Sequence, residues 1–392
     1  MIKIGITGQS GFLGSHLYNT FSFESDRYIC VPFEDSFFDQ GKTMNDFVVQ
    51  CDVVIHLAAM NRHNDPNVLY DTNIKLVQQL IKSCEETQTT PHILFSSSIH
   101  ENLDNLYGKS KKYGRELFEK WSRRNSGKFT GLVIPNIFGP FGHPYYNSVV
   151  ATFCHQLSHN ETPNIEVDSV IKLIYVSELI KEIMGVIELN EYASNDAPSI
   201  APDNLSQDSK SLCETKYISS TSEIKVSQLL KKLTSFKENY RENGTVPNLD
   251  NPFDLDLWNT FLCYNDHASL FPYELKLNTD NRGSFVEIIK LNSGGQISFS
   301  STAPGVTRGN HFHTRKAERF TVIKGKARIE LRKIGTEKKL EFLLDGDQPS
   351  FVDMPIWYTH NITNIGDKDL YTIFWINEFF DKDDPDTYFE EV

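Results

Sequence analysis

Two groups of residues in this chain have the types and spacing to do chemistry. The first lies in the C-terminal third. It runs from Gly305 through His311, Phe312, His313 and Glu318 to Gly325, and resumes at Pro355-Ile-Trp-Tyr-Thr-His360-Asn-Ile-Thr-Asn364. His311 and His313 point to the same side of a strand, because strand side chains alternate. Glu318, past a turn, and His360 can close the set. Three imidazoles and a carboxylate suit a borderline divalent ion, Zn²⁺ first. The second group is Phe95-Ser-Ser97-Ser98 at the end of a β-rich run, followed by Tyr107-Gly-Lys-Ser-Lys111. Residues four apart share a helix face. A lysine beside a tyrosine favours the phenolate and lowers its pKa, which makes Tyr107 a usable proton donor or acceptor near neutrality. Ser98 can bond the same substrate oxygen.

A third motif holds a cofactor rather than reacts. The β-rich run Lys3-Ile-Gly-Ile-Thr7 leads into Gly8-Gln-Ser-Gly11-Phe12-Leu13-Gly14 and then a helical stretch. In the order strand, glycine turn, helix, the glycines let backbone amides approach a pyrophosphate, and the helix N-terminus favours its charge. The run Cys51-Asp-Val-Val-Ile-His-Leu57-Ala58-Ala59 reads as a buried strand ending in small residues beside that turn. Glu34 falls twenty residues after Gly14, behind the second strand. An acid there suits a ribose 2′-hydroxyl and repels a 2′-phosphate, which predicts NADH.

The elements that must position these residues divide the 392-residue chain into two domains. Strands are expected at 2–7, 28–33, 52–57, 92–97, 129–134 and 171–176, alternating with amphipathic helices. That pattern predicts an α/β, doubly wound parallel sheet. Residues 186–222 read as polar loops around a weaker strand, and Thr221–Glu238 as an amphipathic helix. Turn residues from Asn243 to Pro252 mark a boundary. The domains are therefore expected at 1–245 and 273–392, with a connector at 246–272. From Tyr273 onward, short strands punctuated by Gly, Asn and Pro predict an all-β barrel. The acidic run Asp381–Asp386 reads as a solvated loop.

Composition narrows the function classes. A net charge of −13, from 39 basic and 52 acidic residues, argues against nucleic acid as a partner. No apolar stretch is long enough to span a membrane. The first strand begins at Ile2 and leaves no room for a signal peptide. The six cysteines show no paired metal spacing and read as reduced thiols. A cytoplasmic enzyme is expected.

The C-terminal run matches the first cupin motif at every fixed position, and the second run resembles the second cupin motif with Trp357 in place of its Gly. The N-terminal motifs resemble the extended short-chain dehydrogenase/reductase superfamily, a Rossmann-type fold. Further matches are Pro135-Asn136-Ile-Phe-Gly139-Pro140 and Lys172-Leu-Ile-Tyr-Val176. A reductase followed by a cupin resembles the CapF/WbjC-type family of bifunctional nucleotide-sugar enzymes in capsular polysaccharide synthesis. Tyr146-Asn147-Ser148, Asp280-Asn-Arg282-Gly283-Ser-Phe285 and Asp384-Pro-Asp-Thr-Tyr-Phe389 extend the resemblance over essentially the whole chain.

The resemblance implies two steps on a UDP-4-keto-6-deoxy-hexosamine. The cupin inverts C3, and the reductase delivers hydride to C4, giving UDP-2-acetamido-2,6-dideoxy-L-talose, an N-acetyl-L-fucosamine precursor. It implies NADPH, against the NADH suggested by Glu34. It also places Ser97, Asn136, Asn147, Ser148 and Lys172 near the substrate, and assigns Ser98, Tyr107 and Lys111 to ketone orientation, proton donation and ribose binding. Tyr358, on the strand face of His360, is a candidate for the C3 base. The metal either polarises sugar oxygens or staples the barrel, with structural use favoured. Barrel strand edges predict a homodimer. Two alternatives stand beside this reading: a dinucleotide-sensing protein, and a 4,6-dehydratase or 4-epimerase with an accessory cupin. A dehydratase would want an acid directly after the catalytic serine, where this chain has Ile99 and His100.

Overall fold

Near-continuous apolar runs build the first sheet. In the computed structural model, which describes residues 1–191, 213–281 and 283–392, the chain forms β1 (Ile2–Thr7), β2 (Tyr28–Val31), β3 (Val53–His56), β4 (His92–Ser98), β5 (Phe129–Ile134), β6 (Asn136–Phe138), β7 (Val170–Tyr175) and β8 (Cys213–Tyr217). Strands β3 and β5 are buried at every position, as strands covered on both faces must be. Six strands hydrogen-bond in the order β2-β1-β3-β4-β5-β8, with every pairing parallel. Val54, Leu80, Ile93, Phe118, Trp121 and Phe129 form the core on one side.

Two expectations shift here. The run at 171–176 forms β7, but it does not join the large sheet. It pairs in parallel with β6, Asn136 opposite Leu173, beyond a break at Pro135, which offers no ladder donor. The sixth strand is instead β8, the weaker strand within 186–222; the rest of that segment from 192 to 212 lies outside the described residues, as does Arg282. The helix expected at Thr221–Glu238 is also shorter. Ser222–Lys225 is a strand, and the helix spans Val226–Phe236.

The C-terminal β region is two five-stranded antiparallel sheets. One runs, in spatial order, Tyr273–Glu274, Ser350–Met354, Glu318–Lys324, Leu370–Ile376 and Gln296–Thr302. The other runs Lys339–Asp345, Lys326–Lys333, Tyr358–Asn364, Thr307–Phe312 and Tyr388–Phe389. Phe320, Val322, Ile329, Leu331, Val352 and Ile362 are buried among these strands.

By spatial grouping, one unit comprises Met1–Phe138, Tyr145–Ser148 and Ile171–Glu223. The other comprises Gly139–Pro144, Val149–Val170 and Ile224–Val392. This division departs from the segmentation at 245 and 273. Helices Val149–Ser158, Val226–Phe236 and Pro252–Leu262 group with the β sheets, for identifiable reasons. Trp258 packs edge-on against Phe236 and Tyr240. Tyr240 donates a 2.7 Å hydrogen bond to Asp353, which also pairs with the fully buried Arg319 of the barrel.

Candidate active site and metal centre

The glycine turn has the geometry of a pyrophosphate cradle. Gly8 adopts φ +73°, and a Cβ there would lie 2.9 Å from the Ala58 nitrogen. A Cβ on Gly14 would lie 2.2 Å from the Gly8 carbonyl oxygen. Both positions require glycine so that the turn, the helix Phe12–Phe23 and the Leu57–Ala59 segment can close on one another. Leu57 N donates to Thr7 O at 3.2 Å, and Ala58 N to Thr7 Oγ1 at 3.3 Å. No side chain caps the helix at Gly11, and no acid stands in its first turn. Its leading amides therefore suit a phosphate anion. Glu34 is exposed just after β2, where Ser36 donates to its carboxylate at 3.4 Å.

Ser98, Tyr107 and Lys111 gather at the carboxyl end of the same sheet, where ligands bind in open α/β folds. Asn105 caps the helix Leu106–Asn125 by accepting from Gly108 N at 2.8 Å. A Cβ on Gly108 would meet the His100 carbonyl oxygen at 2.1 Å, so only glycine lets the helix approach the segment after Ser98. Ser98 lies close enough to Tyr107 to lower its pKa, and the Ser98 hydroxyl accepts from His100 N at 3.2 Å. The expected lowering of its pKa by Lys111 is not found. Burial pushes the phenol up to about 12, offset only in part by Ser98, while Tyr146 pushes it further. Lys111 instead donates to Ser96 O at 2.9 Å, and burial brings its own pKa down to about 8. The result is a protonated phenol, the form a ketone reductase needs as proton donor.

The expected substrate contacts separate. Ser97 is buried, and its hydroxyl donates to Glu101 at 2.5 Å, away from the reactive group. Lys172 is exposed and pairs with Glu223 at 3.4 Å, while Asn136 donates to Lys172 O at 3.2 Å. Asn147, with φ +58°, donates to Asn61 O at 2.7 Å, and Asn61 N donates to Tyr146 Oη at 3.2 Å. Ser148 follows directly, so the Tyr146–Ser148 run is held against the loop after β3.

Glu101 was not legible as a site residue. It is buried, and Arg115 grips it with two hydrogen bonds of 3.1 and 3.0 Å. The nearest acid after Ser98 is thus occupied in holding the strand end, which counts against dehydratase chemistry.

In the barrel, His311, His313, Glu318 and His360 converge, with one candidate ligand atom from each lying within 4.8 Å of all the others. Glu318 Oε2 is 3.1 Å from His360 Nε2, 3.2 Å from His313 Nε2 and 3.9 Å from His311 Nε2. Burial would raise the Glu318 pKa, but the three imidazoles outweigh it and hold the carboxyl well below its usual range. Backbone carbonyls take the other ring nitrogens. His313 Nδ1 bonds Asp386 O at 2.5 Å, and His360 Nδ1 bonds Tyr358 O at 3.1 Å. Each bond turns Nε2 inward as a ligand, the usual supporting arrangement for metal-bound histidine. One carboxylate and three imidazoles are a donor set that fits a divalent cation.

Trp357 keeps the left-handed backbone that the motif glycine provides, with φ +62°. Its N–H donates to His313 O at 2.8 Å, and its ring stacks on Phe312 at 5.7 Å. The loop leading to His360 is therefore intact. Tyr358 packs its ring against His267 and Phe141, at 5.3 and 6.1 Å, and burial raises its pKa. A phenol held protonated is a poor base.

Comparison with known proteins agrees with this arrangement. Residues 4–196 match the NAD dependent epimerase/dehydratase family, and residues 278–388 match the polysaccharide biosynthesis C-terminal domain. The UDP-2-acetamido-2,6-beta-L-arabino-hexul-4-ose reductase of Pseudomonas aeruginosa is 31% identical, over 99% of this chain and 98% of its own. The crystal structure of the capsular polysaccharide assembling protein CapF from Staphylococcus aureus is 33% identical, covers both chains fully and superposes with a TM-score of 0.60. This chain belongs to the CapF-type family. It is a Rossmann-type reductase domain joined to a cupin, an NAD(P)-dependent nucleotide-sugar reductase with epimerase activity in polysaccharide synthesis. The spore coat polysaccharide biosynthesis protein SpsL of Bacillus subtilis is 24% identical over 29% of this CapF-type chain. Among the described residues, no helix is long and apolar enough to cross a membrane.

Proposed function

We propose that this protein converts a UDP-4-keto-6-deoxy-hexosamine, by C3 inversion and C4 reduction, to UDP-2-acetamido-2,6-dideoxy-L-talose. The observation that carries the reading is the grouping of Ser98, a protonated Tyr107 and the buried Lys111 at the same end of the sheet as the Gly8 cradle. Full-length similarity to a reductase of a 2-acetamido-2,6-dideoxy 4-keto sugar supports the substrate class.

In this reading the C3 proton is acidic because it lies α to the C4 ketone. A base removes it, an enolate carries the charge, and a proton returns to the opposite face. Tyr358, held protonated, is suited to that return. His311, His313, Glu318 and His360 would hold a Zn²⁺, which would supply Lewis acidity or link the barrel strands; four protein ligands favour the structural role. A nicotinamide dinucleotide with its pyrophosphate at Gly8, Gly11 and Gly14 would supply the hydride for C4. Ser98 then orients the ketone, Tyr107 donates the proton that neutralises the alkoxide, and Lys111 holds the ribose. NADPH is assigned as cofactor with NADH also used, because Glu34 disfavours a 2′-phosphate.

A homodimer is proposed through the barrel. The strand Gln296–Thr302, at the edge of its sheet among the described residues, exposes Ile297 and Phe299, at 59% and 61%, an apolar edge of the kind that recruits a second strand.

The test is to supply the keto sugar with NADPH or NADH in deuterated water and follow the product by NMR. Deuterium at C3, with one nicotinamide oxidised per sugar, is expected. Cofactor recycling without net oxidation would instead indicate a dehydratase or 4-epimerase.

A further inference from the structure

We infer that the C-terminal strap Asp384–Glu390 is part of the metal centre, and that Asp386 is its positioning residue. The inference rests on the metal reading above. Asp386 belongs to an acidic run that reads as a solvated loop, yet it is only 3% exposed. Its backbone takes φ +40°, which costs a non-glycine residue energy and implies that its contacts enforce it.

Those contacts all reach the segment between two of the metal ligands. The Asp386 carbonyl accepts from His313 Nδ1 at 2.5 Å. Its carboxylate accepts from Thr314 N at 3.1 Å, Thr314 Oγ1 at 2.6 Å, Arg315 N at 3.0 Å and Lys316 N at 3.1 Å. One residue thus sets the His313 tautomer and fixes the turn that carries the chain from His313 to Glu318.

The rest of the strap holds Asp386 in place. Lys316 Nζ donates to Pro385 O at 2.9 Å, and Arg315 grips Asp384 at 3.0 Å. Beyond it, Tyr388 and Phe389 pair with Phe312 and His311, and Tyr388 stacks on Phe312 at 5.2 Å. The strap therefore braces His311, His313 and the turn into Glu318, three of the four ligands. Its effect is to preorganise the site, so that metal binding does not have to order that turn. Partners of this kind typically change metal affinity about 10- to 100-fold.

The experiment measures Zn²⁺ affinity of the full chain by competition with a chromophoric chelator, alongside the Co²⁺ absorption spectrum and thermal unfolding of the metal-free protein. Asp386→Asn keeps the backbone carbonyl and one acceptor oxygen but loses the charge. It is expected to weaken Zn²⁺ about 10-fold or more and to alter the Co²⁺ spectrum. Thr314→Val removes a single bond to the carboxylate and should act in the same direction by less. It decides the matter if Asp386 variants do not fold. Wild-type protein that binds no Zn²⁺ would overturn the metal reading itself. Zn²⁺ binding and Co²⁺ spectra in the folded variants equal to those of wild type would overturn the role of the strap alone.

Discussion

At the scale of single residues, burial decides the chemistry of Tyr107 and Lys111. A pair four apart on a helix is legible in sequence, but the sign of each pKa shift depends on what surrounds it. Lys111 is 5% exposed, and its folded pKa of about 8 lies below its ordinary 10.5. The unfolded chain therefore binds more protons between those two values, so this lysine's contribution makes stability rise with pH from about 8 to 10.5 and costs most below pH 8. At about 1.36 kcal/mol per unit, the ceiling is on the order of 3 kcal/mol. Lys111→Met should accordingly be more stable than wild type at pH 7, with the difference shrinking towards pH 10.5, as read by urea unfolding across that range. Glu34 gives a second test. Like-charge repulsion of a 2′-phosphate predicts that Glu34→Ala shifts the NADPH-to-NADH ratio of kcat/KM roughly tenfold to hundredfold towards NADPH. An unchanged ratio would place Glu34 outside the ribose pocket.

At the scale of elements, the loop from Met354 to His360 shows two costs in competition. Trp357 holds a left-handed backbone at about 1–2 kcal/mol, which glycine would relieve. Its ring, 8% exposed and stacked on Phe312, is worth more, because truncating a buried Trp typically costs about 3–5 kcal/mol. Trp357→Gly should therefore restore the motif residue and still destabilise the barrel, by about 1–4 kcal/mol in denaturant unfolding. A gain in stability would show that backbone strain outweighs the ring. The strand–turn–helix unit at Gly8 carries no such conflict. Gly8 and Gly14 stand where a Cβ would collide with backbone.

At the scale of the whole molecule, two chemistries on one chain predict separable losses. Tyr107→Phe should lower nicotinamide oxidation by about 10²- to 10⁴-fold and leave C3 deuterium exchange intact. Loss of both in a folded variant would mean that the two steps share residues. His311→Ala should reduce bound Zn²⁺ from about one per chain and lower the melting temperature of the barrel, since structural metal binding contributes directly to folding. Elemental analysis of carefully purified wild type showing no divalent metal would sink this.

What the sequence by itself determined was local. Fixed spacings, His311 to His313 to Glu318 and Tyr107 to Lys111, picked out residues that the fold brings together or sets on one helix turn, because strand alternation and helix pitch are set by covalent geometry. Short β-rich apolar runs named six strands correctly, and glycine placement marked the tight turn at Gly8–Gly14. Tertiary structure decided everything that depends on neighbours distant in the chain. It sent β7 out of the main sheet and put β8 at its edge. It grouped the helices Val149–Ser158 and Val226–Phe236 with the barrel. It turned Ser97 towards Glu101, raised the Tyr107 pKa where a lysine alone would lower it, and buried Asp386 within an acidic run. Sequence spacing cannot report burial or long-range hydrogen bonding, and those terms set the protonation of Tyr107 and the orientation of His313.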